Sequence, residues 1–166
     1  MEITVHVKYG NVEKTFVGGL EEVWLGLNRF FGEFLPSFEV AKRLLLRVDL
    51  EELAASCEGL IGFSKEEDAC LLVSKERLTD NETLLLWLLA YYIGFRLGFF
   101  VDDAVSREEL QAKLGKSGKI TSTRLGELVK GGLVAKISDD RYRITSFGVL
   151  QMQKEIIPRV KAKTSS

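Results

Sequence analysis

The run from Leu84 to Val101, LLLWLLAYYIGFRLGFFV, holds eighteen residues with Arg96 as its one charge. A stretch of this length and polarity either crosses a bilayer or is covered by protein on every side. An arginine near the centre of a membrane helix costs about 2.5–3.5 kcal/mol. Both flanks are also acidic, with Asp80 and Glu82 before the run and Asp102 and Asp103 after it. The expectation is therefore a deeply buried helix that begins at Thr79 or Asp80, its acids in the first turn at the positive end of the helix dipole, with no membrane association. Because apolar groups occupy every face through Leu97, it needs more partners than a small three-helix domain offers. Either both halves of the chain or a second copy must cover it.

The chain has 166 residues, 46% of them hydrophobic and 28% charged, with two prolines. That is enough apolar surface to offset the ordering entropy of one ordinary domain or two small ones, which excludes wholesale disorder. The net charge of -1 conceals segregation. Met1 to Val101 carries 10 Lys/Arg against 16 Asp/Glu, and Asp102 to Ser166 carries 13 against 8. A polyanion would be met by the C-terminal part, where lysine and arginine can displace condensed counterions. Cys57 and Cys70 form no CxxC pair and His6 stands alone, so no metal site is expected, and the thiols read as free and buried. With no targeting segment and no cysteine framework, a reducing cytoplasm is the simplest compartment. Few Asn, Gln and His beside many Glu, Lys and Arg lean toward a heat-adapted source, a thermophile.

Ile3, Val5, Val7 and Tyr9 alternate with Thr4, His6 and Lys8, and Gly10-Asn11 precedes Val12 to Val17, which reads as a β-hairpin with His6 facing solvent. Leu20 to Phe34 places Val23, Trp24, Leu27, Phe30, Phe31 and Phe34 at helical spacing, as a core stripe. A second helix is expected from Pro36-Ser37 to about Val48, and Asp49 caps a third that carries Glu51 and Glu52 in its first turn. Gly59 to Ser64 and Ala69 to Ser74 read as short strands around the charged turn Lys65 to Asp68. That cluster lacks the spaced ligands of a calcium loop.

Beyond Asp103, Ser106 caps a short helix from Arg107 to Leu114, with Glu109 placed to close a capping box. Leu110 and Leu114 face inward. Gly115 to Gly118 supplies a turn, and a second helix from about Thr121 to Lys130 buries Leu125, Leu128 and Val129 before Gly131-Gly132 ends it. Leu133 to Ile137, the turn Ser138 to Asp140, and Arg141 to Thr145 form a hairpin whose Tyr142 and Ile144 point one way and Arg141 and Arg143 the other. A last helix runs from Ser146 to about Ile157 and stops at Pro158, and Lys161 to Ser166 reads as frayed.

The SREELQAKLG helix, the ITSTRLGELVKGGLV helix and the YRITSFG hairpin strand together resemble the winged helix-turn-helix transcriptional regulators, over about sixty residues. Residues Met1 to Lys75 resemble no such family. The resemblance implies that the start of the second of these helices enters the major groove of double-stranded DNA, while the hairpin reaches backbone or minor groove. By position, Lys119, Ser122, Thr123 and Arg124 would face DNA, with Arg124 the reader of guanine through its paired donors. Lys116 and Lys130 would touch flanking phosphates, and Arg141 and Arg143 would contribute from the hairpin. Asp139 and Asp140 at the hairpin tip depart from this pattern, since they repel phosphate.

The fold class expected is α+β. It comprises an N-terminal part, residues 1–76, of hairpin and helices with no assigned role, followed by a helix-turn-helix domain, residues 79–160, that includes the apolar helix 80–100. The leading functional expectation is a homodimeric DNA-binding regulator joined through Leu84 to Val101, with no cofactor. An unknown ligand or protein could engage the N-terminal part. The alternatives are a winged-helix adaptor that binds protein, or a nonspecific nucleoid binder. No nucleophile-base pair, phosphate-binding glycine loop or metal cluster points to an enzyme.

Overall fold

The computed structural model describes residues 1–34, 44–65 and 69–165, apart from the side chains of Tyr9 and Phe34. Glu66 to Asp68 of the charged turn and most of the helix expected from Pro36 to Val48 lie outside those residues. Of the described end of that helix, Leu44 is helical and Leu45 to Val48 are not. Helices and strands are mixed, as α+β requires, and the contacts divide the chain into two compact units, Met1–Leu45 and Leu46–Ser166.

In the first unit β1 (Ile3–Tyr9) pairs antiparallel with β2 (Val12–Gly18), with Tyr9 opposite Val12. Gly10 takes φ +58 and no other residue of the turn has positive φ, the glycine-first form that matches strand twist. His6 is exposed, with its Nδ1 2.9 Å from the Thr15 hydroxyl. Helix α1 (Leu20–Phe34) buries Val23 and Phe30, and Phe30 meets Phe16 of β2 edge-on at 5.9 Å. Trp24, read from the sequence as core, is 64% exposed. A two-stranded hairpin covers only one side of α1, and Trp24 follows Val23 around to the other.

The second unit opens with α2 (Leu50–Ser56), which Asp49 caps by accepting from the Glu52 N–H at 3.0 Å. The strands β3 (Ile61–Gly62) and β4 (Cys70–Leu71) pair antiparallel, and a single 3₁₀ turn at Lys75–Arg77 precedes α3 (Asp80–Arg96). Thr79 and Glu82 cap α3 reciprocally. From Leu84 to Ile93 its apolar side chains are buried on every side except at the half-buried Trp87 and Tyr91. Segments of this same unit provide the cover: α2, β3 and β4 before it, and the elements from Val105 onward after it. Residues 46–76, grouped by the sequence reading with the N-terminal part, thus belong to the unit that α3 organises, because Leu53, Leu60 and Ile61 are buried in its core. Among the described residues no helix is long and apolar enough to cross a membrane.

Strand β5 (Val105–Ser106) then leads into α4 (Arg107–Leu114), α5 (Gly118–Lys130), β6 (Val134–Ser138) and β7 (Arg141–Ile144). The sheet order is β5-β7-β6, with a bulge in β6 at Ile137. Ser106 caps α4, but the Glu109 carboxylate accepts the Tyr91 hydroxyl of α3 in place of the expected capping box. Gly115 closes α4 at φ +72, a backbone conformation open to glycine, and the turn is shorter than expected. Helix α5 starts at Gly118 because Ser117 caps it through the Ile120 N–H, at 3.2 Å.

Thr145 caps α6 (Ser146–Gln151), and a π-helical turn at Met152–Ile156 joins it to α7 (Ile157–Thr164). Pro158 therefore does not stop the helix. It sits in the first turn of α7, directly after the π-helical turn, a place where a helix tolerates proline. Of the end expected to fray, Lys161 to Thr164 are helical instead, and Lys163 reaches Glu82 at 2.7 Å.

Candidate nucleic-acid interface

Helix α5 buries Thr121, Leu125 and Leu128 and turns Lys119, Ser122, Thr123, Gly126 and Lys130 to solvent. These exposed positions fall at three- and four-residue spacing, so they form one face. No acid lies in the first turn, the end where the helix dipole is positive. Gly126 meets nothing within 4 Å of where a Cβ would sit, so this face admits close approach to the backbone. Lys116, just before the Ser117 cap, is exposed as well. Among the described residues, Lys116, Lys119 and Lys130 have no carboxylate within 4.0 Å.

A groove of about 500 Å³ separates this face from the β6–β7 hairpin, lined by Arg107, Ser122, Gly126, Lys136 and Asp140 among others. Arg107 bridges it: Nη1 donates to the Ser122 hydroxyl at 3.1 Å and Nε donates to Asp140 Oδ1 at 3.3 Å. The hairpin tip is thereby tied to α5, and one of its two acids is neutralised. Sequence reasoning missed Arg107. Its spacing from Asp140 carries no signal, because they meet only once β5 has paired with β7.

The arginines expected to read or grip a ligand are engaged within the fold. Arg124 Nε lies 3.4 Å from Asp80 Oδ2 at the start of α3, and its Nη1 lies 3.1 Å from Glu127 Oε1. Glu127 first, and then Asp80, hold its pKa above the ordinary value. Arg141 Nη2 donates to Asp102 Oδ2 at 2.9 Å and to the Ala104 carbonyl at 2.6 Å. The Ala104 N–H, and then the charge on Arg141, keep the Asp102 carboxyl below its usual range. Arg143 Nη1 stands 3.7 Å from Asp103 Oδ1. Arg141 and Arg143 do face outward from β7, as the strand period requires, but they clamp the segment that enters β5.

The exposed α5 face carries Lys119, Ser122, Thr123 and Lys130, whereas Lys116 lines a cleft with Asp80 and Thr83 of α3, and Arg124 is turned aside toward α3 as well. Ser122 and Thr123 are partly committed, the first to Arg107 and the second through its hydroxyl to the Lys119 carbonyl at 2.9 Å. Among the described residues no group of three or more His, Cys, Asp or Glu is placed to hold a metal ion. Cys57 and Cys70 are free, and burial pushes the Cys57 thiol pKa up. Comparison with protein-family models, with curated proteins and with solved structures finds no match to this chain.

Proposed function

We propose that the chain is a winged-helix protein that binds double-stranded DNA through the exposed face of α5, with the β6–β7 hairpin as the wing. The observation that carries this reading is that face itself: Lys119, Ser122, Thr123 and Lys130 around an open Gly126, with Lys116 adjacent and no acid in the first turn. Lysines and hydroxyls suit phosphate contacts that set register on a duplex, and a small α5 face suits the width of the major groove. The lysines take the weight that Arg124 has in the sequence reading. A regulator would pair two such faces on an operator. The opening for self-association is the end of α3 and its exit, where Phe95, Leu97, Phe99 and Val101 are exposed.

A protein-binding adaptor is the second reading. It is favoured by the engagement of Arg107, Arg124, Arg141 and Arg143 with carboxylates, which leaves the cationic surface to lysines alone. Fluorescence anisotropy with duplex DNA over a salt series separates the two. DNA binding requires affinity that falls steeply with salt, and Lys119→Gln should lower the log–log slope by about one. Arg124→Gln should change it less, because that guanidinium already has two carboxylate partners. A weak signal that neither salt nor Lys119→Gln alters overturns the DNA reading and leaves the adaptor. Steep salt dependence without preference among duplex sequences indicates a nonspecific binder in place of a regulator.

A further inference from the structure

The space between β4, α3 and α4 holds groups that the proposed DNA contact does not use. Its volume is about 430 Å³, with Leu71 and Val73 on one wall, Trp87 and Tyr91 of α3 on another, Lys113 of α4 across from them, and Lys75 also lining it. This is the size of an ordinary small-molecule site.

Lys113 does not extend into solvent. Its Nζ lies 3.9 Å from the centre of the Trp87 ring and 5.8 Å from that of Tyr91, held against the negative faces of the rings. Among the described residues neither Lys113 nor Lys75 has a carboxylate within 4.0 Å. The lining acid Glu109 accepts the Tyr91 hydroxyl. The indole nitrogen of Trp87 is buried, with no hydrogen-bond acceptor among the described residues. A donor sealed from water without a partner is costly, and it marks a place where an acceptor is missing.

A pinned ammonium, a second ammonium and an unsatisfied indole N–H, set beside aliphatic and aromatic walls, are complementary to one kind of ligand. We propose that this pocket binds a small carboxylate with a flat apolar body. The carboxylate pairs with Lys113 and Lys75, and one of its oxygens accepts the Trp87 N–H. The body lies against Leu71 and Val73. Reaching the Trp87 N–H requires a side-chain displacement at the pocket wall, because that nitrogen is sealed from solvent. Helix α4 carries Lys113 and ends at Gly115, just before the cap of α5, so an occupant bears on the exposed α5 face. The binding itself is independent of what that face contacts.

The test uses the ¹⁵N-labelled full chain, whose two tryptophans, Trp24 and Trp87, give two indole N–H signals, assigned with Trp87→Phe. The probe is 2-naphthoate, and the neutral 2-naphthylmethanol is the control. The expected result is a saturable downfield shift of the Trp87 indole signal with 2-naphthoate while that of Trp24 stays in place. Affinity for the alcohol should be at least about tenfold weaker, and Lys113→Gln should weaken naphthoate binding by about tenfold. The proposal is overturned if the Trp87 signal shows no saturable movement up to about 5 mM naphthoate, a bound beyond which affinity is negligible. It is equally overturned if the alcohol binds as well as the acid, or if Lys113→Gln leaves the affinity unchanged.

Discussion

Glu82 keeps a charge at 3% side-chain exposure, with Lys163 Nζ at 2.7 Å, Arg159 Nε at 3.1 Å and the Thr79 N–H at 2.9 Å. Burial pushes its carboxyl up, and the three donors outweigh that effect, so its pKa lies below the ordinary value. A carboxyl depressed in the folded state contributes stability above its unfolded pKa and loses it as pH falls through the folded one. Glu82→Gln should therefore cost about 1–3 kcal/mol at neutral pH, since Arg159 and Lys163 can turn toward water. Urea unfolding over an acid series should show the difference between Gln and wild type shrinking as pH falls below the usual carboxylate range. A difference that stays constant with pH rules out the ion cluster as its source. The sequence marked Glu82 as a first-turn acid, which it is. Its partners lie on α7, far along the chain, and no local pattern announces them. Arg124 has the same history: position made it a groove-facing residue, and Asp80, an acid from another helix, claimed it.

The elements were the most legible level, because caps and periodicity act within a few residues. Asp49 and Ser106 cap where the sequence places them, α3 begins at the expected Asp80 with its acids in the first turn, and the β1–β2 register follows from Gly10-Asn11. The misses have local causes too. Ser117 competes with Thr121 as the start of α5 and prevails because its hydroxyl accepts the Ile120 N–H. Pro158 reads as a stop, but a π-helical turn accommodates it. Ser117→Ala should cost about 1 kcal/mol and fray the end of α5 that carries Lys119. Under the proposed function, duplex affinity then drops more than the stability loss alone accounts for, which chemical denaturation and anisotropy measured together will separate. Gly148 presents a harder constraint, since a Cβ there would lie 2.2 Å from the Leu133 carbonyl oxygen. That oxygen also accepts the Thr145 N–H at 3.0 Å, so the backbone cannot withdraw without losing the junction between α6 and the hairpin. Gly148→Ala should destabilise by about 3 kcal/mol, read as a lower urea midpoint with an unchanged slope.

At the scale of the molecule, the apolar run that reads as a membrane candidate is the centre of the Leu46–Ser166 unit, with Leu84, Leu86, Leu88 and Leu89 fully buried. That Leu84 to Ile93 are buried, Trp87 and Tyr91 by half, follows from composition, whereas Phe95, Leu97, Phe99 and Val101 at the end of the run are exposed against that expectation. Which segments do the burying does not follow from composition, because α2, β3 and β4 look in sequence like the end of an N-terminal domain. Their apolar residues are few and short-spaced, and only the three-dimensional packing assigns Leu53, Leu60 and Ile61 to the α3 core. This division makes a prediction about fragments. Residues 46–166 retain α2, β3, β4 and the elements from Val105 onward that pack on α3, so they should unfold cooperatively on their own with near-native helical circular dichroism. Among the described residues of 1–45, which form a two-stranded hairpin and α1, Val23 and Phe30 are the buried apolar ones, and Leu20, Trp24 and Leu25 are exposed. At that size a chain buries too little surface to offset its ordering entropy. The isolated segment should therefore show a weak, non-cooperative melt. Loss of cooperative unfolding in the 46–166 fragment is the result that defeats the division, because it would mean that the first unit supplies stability the α3 core lacks.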